Sequence, residues 1–330
     1  MSYGDFEKEL VIGHKYEIES GIVLKGNPDL ANGKAKQKYT KFISDVQSVK
    51  AKEYLVTDFD KIGKKDVIEL AMSIIVFMLG EKVLPDVTEF FKRLMPARNN
   101  NMACLDGVTV TIVNKNNGEK TEFTQIPDIE TSSSVVAIVH EFIHYYLNKN
   151  NIDMTKKRYY QEVLSILAEK IAHHIIELTT HEMNFSQKIE ESRLEALSYH
   201  YSTQLPALES RIREHEHLKK TAKKGDVLSN MILLKMEREI PLIDTPQNRE
   251  ILKDYYYSQA ESYGIGYLYA DYLFKKFIDD PKALKKQITN LQNHEKSFQE
   301  ILDYYDMNLK NYQLYNSVNE TLQMVKQQKL

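Results

Sequence analysis

The segment His140-Glu141-Phe142-Ile143-His144 sets two imidazoles four residues apart with a carboxylate beside the first. On a helix this spacing stacks both rings on one face, one turn apart. Two ring nitrogens can then share one Zn2+ while Glu141 takes a proton from an attacking water. With ten histidines in 330 residues, composition alone would give about 0.03 such HExxH matches. Val136, Val139, Phe142 and Ile143 mark the segment as a core helix, where two histidines without partners would be costly. The bland alternative is a pair of structural histidines.

A zinc hydrolase also needs a third protein ligand and an open fourth position. The next apolar helix, expected from about Arg158 to Leu178, carries Glu162, Ser165, Glu169 and His173 at spacings of three and four. They stand among Val163, Leu164, Ile166, Leu167, Ile171 and Ile175. Carboxylates inside a core are paired or metal-bound, so this polar stripe is most simply explained if it faces the histidines. For Glu162 the alternative is a solvated helix glutamate.

Only 12 Gly and 8 Pro in 330 residues point to a mostly α protein able to present such a pair of rigid elements. The metal helix is expected from Val135 to about Leu147, behind the capping hydroxyls Thr131, Ser132, Ser133 and Ser134. Ahead of it, Val108–Val113 and about Thr121–Ile126, with the turn-rich Asn114 to Gly118 between them, read as a β-hairpin. In the first strand Thr109, Thr111 and Val113 alternate with Val108, Val110 and Ile112, and an edge strand of this kind could hold an extended peptide by its main chain. Upstream, the pattern is helical from about Asp66 to Met95, ending at Pro96. Its apolar core, Val67 to Gly80, is too short to span a bilayer and contains Glu69. Residues 1–65 show little periodicity. Beyond the second site helix the pattern is helical, with breaks expected near Pro206, Gly225, Pro241, Pro246 and Pro281. The organisation expected is an N-terminal, mostly helical region over 1–105 packed on a catalytic region over 106–330.

A formal net charge of -3, with neither sign gathered in a block, offers no nucleic-acid footprint. The single Cys104 has no disulfide partner in the chain and no base nearby in sequence, and no secretory signal is visible, so a reducing, cytoplasmic setting is expected with no membrane association. His215 and His217 fall in a charged helical run and are expected at the surface.

The HExxH on one helix followed by E-x-x-S-x-x-x-E over Glu162, Ser165 and Glu169 on the next resembles the zinc oligopeptidases of peptidase family M3, the thimet oligopeptidase and oligoendopeptidase F group. His144-Tyr145-Tyr146-Leu147-Asn148-Lys149-Asn150 is similar to that family's helix exit. Two stretches match more loosely: Tyr255-Tyr256-Tyr257 with Ser262-Tyr263-Gly264-Ile265-Gly266-Tyr267-Leu268, and 297–325 with Gln299-Glu300-Ile301-Leu302 and Leu309. The resemblance implies a gluzincin-like helical catalytic domain with a small β-hairpin before the HExxH helix. It implies His140, His144 and Glu162 as ligands of one Zn2+, and Glu169 as the carboxylate that holds a ligand histidine in its tautomer, with Ser165 in the same motif. Glu141 is then the general base, and Tyr256, Tyr257 and Tyr263 are the candidates for binding the scissile carbonyl oxygen. His173, which continues the stripe, is a further candidate for a place behind the ligands.

The sequence departs from the family in carrying Ile143 where Gly is usual, in a shorter gap between His144 and Glu162, and in a length near half the usual one. Much of the helical lobe that roofs the family's substrate channel is therefore expected to be missing. The leading expectation is a zinc metallopeptidase acting on short or unfolded peptides. Beside it stand an HExxH protease specific for one protein partner, and a helical interaction protein whose metal site is structural.

Overall fold

In the computed structural model the described residues are Leu30, 33–49, 51–96, 105, 107–113, 120–126, 129–149, 161–180, 182, 184–221, 227–239, 245–280, 282 and 308–327. Cys104, residues 114–119, the residues before Gln161 at which the second site helix was expected to open, and Gly225, Pro241, Pro281 and 297–307 lie outside them.

Helix α1 (Gly33–Ser48) lies in the stretch of weak pattern and is held by Ala35, Tyr39, Phe42, Ile43 and Val46, a stripe at helical spacing that turns inward. The helical stretch expected up to Met95 is divided. Helix α2 (Lys64–Leu79) stops at Gly80, where φ is 88°, a conformation that costs glycine little. After a short 3-10 turn, α3 (Leu84–Lys92) restarts with Pro85 in its first turn. Leu94–Pro96 then leaves the helix as strand β1.

Strands β2 (Val108–Val113) and β3 (Lys120–Ile126) pair antiparallel, Val108 opposite Gln125 and Val113 opposite Lys120, as the hairpin pattern predicts. Strand β1 joins the far side of β3 in parallel, with Leu94 opposite Thr124. Three residues are too few to carry a readable period, so this third strand was not expected. The order β1-β3-β2 leaves β2 at an edge of the sheet.

The HExxH helix α4 (Ser132–Lys149) is anchored at its start, where Ile62 N donates to Glu130 O at 2.9 Å and Ser132 N to Asp60 O at 3.0 Å. Helix α5 (Gln161–Thr180) packs along it. Val135, Val136, Ile138, Val139 and Phe142 of α4 and Val163, Ile166 and Ala168 of α5 are inaccessible. Helix α5 is apolar almost all round, so neighbours must cover it on every side.

Helix α6 (Phe185–Tyr199) continues through a π turn, His200–Gln204, into α7 (Leu205–Thr221). Pro206 therefore does not break the chain. Proline lacks an N–H and clashes with the carbonyl four residues back, and the widened turn before it relieves both. Helix α8 spans Val227–Glu239, and α9 (Pro246–Asp279) starts at Pro246 and crosses α5. Helix α10 (Tyr312–Gln327) packs on α9. Leu309 is buried beside it, whereas His215, expected at the surface, is buried on α7. One apolar cluster runs through the described elements, from Leu30 to Val325. The protein is mostly α with one small sheet ahead of the HExxH helix. Among the described residues, no helix is long and apolar enough to cross a membrane.

Candidate metal centre

Helix α4 turns His140 and His144 to one side, and the first turn of α5 brings Glu162 against them. The two Nε2 atoms are 3.0 Å apart, and Glu162 Oε2 is 3.5 Å from each. Ligand atoms about 2.0 to 2.1 Å from a tetrahedral zinc stand about 3.3 to 3.4 Å from one another, so this triangle has the size zinc requires. Glu162 Oε2 is buried and accepts no hydrogen bond among the described residues, which is costly unless a cation completes it. The donor set, two imidazoles and a carboxylate, is that of a catalytic zinc site. Burial opposes charge on both groups, but facing each other they outweigh it: Glu162 is held down at about 2 and His144 is raised to about 9.

Glu141 lies within electrostatic reach of His144 and meets the sheet. Thr109 Oγ1 donates to its Oε2 at 2.6 Å, and Thr124 Oγ1 lies 3.0 Å behind that hydroxyl. Thr109 has one proton and gives it to the carboxylate, so Thr124 is the donor in the second contact. The two threonines face each other in the β2–β3 register. Gly107 closes the remaining side, because a Cβ there would stand 2.7 Å from Glu141 Oε1.

Behind the triangle, Glu169 Oε1 is 2.7 Å from His140 Nδ1, a contact without the alignment of a linear hydrogen bond. Glu169 is gripped by Arg193 of α6, whose Nε donates to Oε2 at 3.1 Å and whose Nη2 donates to Oε1. Burial pushes Glu169 up, but the Arg193 guanidinium beside it prevails and keeps its carboxyl below the usual range. Ser165, the other residue of the motif, is fully buried on the same helix.

Other expected residues stand elsewhere. His173 does not reach the triangle: its Nε2 is 3.1 Å from Glu190 Oε1, in a second buried cluster. There Lys170 Nζ donates to Glu190 Oε1 at 2.5 Å and to Asp271 Oδ1 at 3.2 Å, and the Tyr267 hydroxyl donates to Glu190 Oε2 at 2.7 Å. Helical spacing put His173 on the right face but one turn beyond Glu169. Tyr257 is exposed, with its hydroxyl donating to Glu209 of α7 at 2.6 Å, and Tyr256 sits half-buried in the field of Arg211. Tyr263 lies within electrostatic reach of Arg193. Its ring stacks on His200 with centroids 4.8 Å apart and planes at 12°.

Arg193, Thr109 as partner of the base, His200 and Gly266 were not singled out beforehand. Arg193 and Glu190 sit among the buried Ile189, Leu194 and Leu197, and charges at core positions of a helix were the available signal. Gly266 was signalled by a glycine within a helix, and a Cβ there would lie 2.5 Å from Glu162 Cβ and 3.0 Å from its backbone carbon.

No protein-family model and no curated protein matches the chain. A solved structure from Bacillus anthracis str. Ames, provisionally named an oligoendopeptidase F, is similar at 14% sequence identity with a TM-score of 0.48, over 91% of this chain and 58% of that one. That degree of likeness assigns neither family nor activity. The functional reading rests on the site itself.

Proposed function

We propose that the protein is a zinc-dependent metalloendopeptidase of the HExxH type, with His140, His144 and Glu162 as ligands and Glu141 as general base. The observation that carries this reading is the triangle of 3.0, 3.5 and 3.5 Å among His140 Nε2, His144 Nε2 and the hydrogen-bond-free Glu162 Oε2. When bound, zinc supplies Lewis acidity to a carbonyl oxygen and to water. Glu141 adjoins a ligand histidine in sequence, and with its carboxylate steadied by Thr109 it accepts a proton from the attacking water and returns one to the leaving amine. Tyr263 is the donor proposed for the developing oxyanion, ahead of Tyr256 and Tyr257, whose surroundings tie them to α7. A peptide substrate in extended form fits the edge of β2, whose Thr109 already touches the base.

The test is metal content and turnover in three full-length proteins. The parent should hold about one zinc and cleave members of a mixed peptide library, His144→Ala should lose the metal, and Glu141→Gln should keep it without turnover. A metal-free parent overturns the reading, and turnover by Glu141→Gln removes the assigned base. Zinc held without cleavage of any library peptide, but with cleavage of one specific protein, selects the partner-specific protease instead.

A further inference from the structure

We propose that Arg193 is a positioning residue of the metal centre, acting through Glu169 on His140; this rests on the zinc reading above, though not on the reaction assigned to it. Arg193 is 7% exposed, on a helix whose Ile189, Leu194 and Leu197 pack inward, so solvent does not account for the placement of its guanidinium. Its Nε and Nη2 take one carboxylate oxygen of Glu169 each, the planar two-point pairing that arginine makes and lysine does not. A carboxylate gripped at both oxygens cannot turn about its last bond. Oε1 therefore stays 2.7 Å from His140 Nδ1. The opposite edge of that ring carries Nε2, which faces His144 Nε2 and Glu162 Oε2. An imidazole whose one edge abuts a fixed carboxylate has its other edge aimed, and groups that aim a ligand ring in this way set metal affinity.

The neighbouring cluster provides the comparison. Lys170, Glu190, Asp271, His173 and Tyr267 are equally buried and equally polar, yet the contacts described for them include none to His140, His144 or Glu162. If Arg193 served only to satisfy a buried carboxylate, disturbing either cluster would have the same effect. If Arg193 aims His140, only its own cluster changes the metal.

Zinc dissociation constants, measured by chelator competition on the full chain, separate these. Arg193→Gln and Glu169→Gln should each weaken zinc by about 10- to 100-fold. The double variant should be no weaker than Glu169→Gln within about twofold, because both substitutions break the same chain of contacts. Arg193→Lys should fall between parent and Arg193→Gln and should alter the visible absorption of bound Co2+. Ser317→Ala, which removes a hydroxyl that donates to Asp271 in the other cluster, should lower Tm while leaving zinc affinity within about twofold of the parent. Folded Arg193→Gln binding zinc as tightly as the parent overturns the proposal, and so does a loss from Arg193→Gln that persists undiminished when Glu169 is already Gln. If Arg193→Gln does not fold, Arg193→Lys with and without Glu169→Gln decides by the same cycle. A parent that takes up no zinc is a different result, and it overturns the metal reading itself.

Discussion

Thr109 illustrates how much of a reaction can hang on one hydroxyl. Its bond to Glu141 Oε2 at 2.6 Å is to a charged acceptor, a class worth about 1.5 to 3 kcal/mol, and it holds the carboxylate proposed as general base. Thr109→Val keeps the shape and loses the bond, so kcat on peptides should fall about tenfold or more with zinc content unchanged, and Thr109→Ser should restore most of it. Equal kcat in the Val variant would show that the strand is a bystander. His144 makes a second prediction. Because it faces Glu162, the metal-free ring keeps its proton up to a pKa of about 9, raised from its ordinary 6.5. Zinc must displace that proton. Apparent zinc affinity should therefore rise from pH 7 toward pH 9, by up to about tenfold per unit, and level above it. Calorimetric titration in buffers of different protonation enthalpy should register a proton released per zinc at pH 7; the idea fails if affinity is flat over that range.

At the scale of elements, the site depends on how closely two helices approach. Helix α9 passes α5 at Gly266, where a Cβ would meet Glu162 Cβ at 2.5 Å and its backbone carbon at 3.0 Å. A backbone atom cannot step aside as a side-chain tip can, so Gly266→Ala must push the helices apart. Overpacking of this kind costs about 1 to 3 kcal/mol, and because the clash falls on a proposed ligand it should weaken zinc as well as lower Tm. Thermal unfolding with and without chelator checks both effects, and a loss of stability without a loss of metal would show that the helix pair yields elsewhere. The sheet has a comparable task. Its cross-strand pair Thr109 and Thr124 delivers a hydroxyl to the base, which a loop in that position would do with less constancy. Much of this was open to a reader of the sequence: the hairpin, the HExxH helix and the apolar helix after it follow from period and caps. The division of 64–96 was not, because Gly80 and Pro85 lie inside a run whose apolar pattern continues across them.

In the molecule as a whole, a second buried layer of charge ties the site helices to the C-terminal end. Asp271 of α9 receives Lys170 of α5, and Ser317 and Thr321 of α10 donate to it at 2.6 and 3.0 Å. Lys170 keeps its proton despite burial because Glu190 and Asp271 lie against it. Lys170→Met should leave two carboxylates buried without their cation and cost about 3 to 5 kcal/mol, read as a lower urea midpoint. A midpoint within error of the parent would mean that water reaches the cluster, although Lys170, Glu190 and Asp271 are all buried.

The sequence by itself determined the candidate residues and their local frame. HExxH names both histidines and the glutamate because a helix repeats every turn, and the stripe from Glu162 to His173 is legible because charge is costly on an apolar helix. What only the tertiary structure decided is which members of the stripe meet the histidines, and what stands behind them. Helical spacing places Glu162, Glu169 and His173 on one face, but where α4 crosses α5 selects Glu162 and Glu169 and sends His173 to Glu190. The same holds for the tyrosines, since α7 takes Tyr257 and its π-turn neighbour His200 stacks on Tyr263. Arg193 enters from a helix 24 residues beyond Glu169, and no local period records that meeting. Contacts within a helix are written in spacing, whereas contacts between helices are written in packing, which depends on every side chain between them.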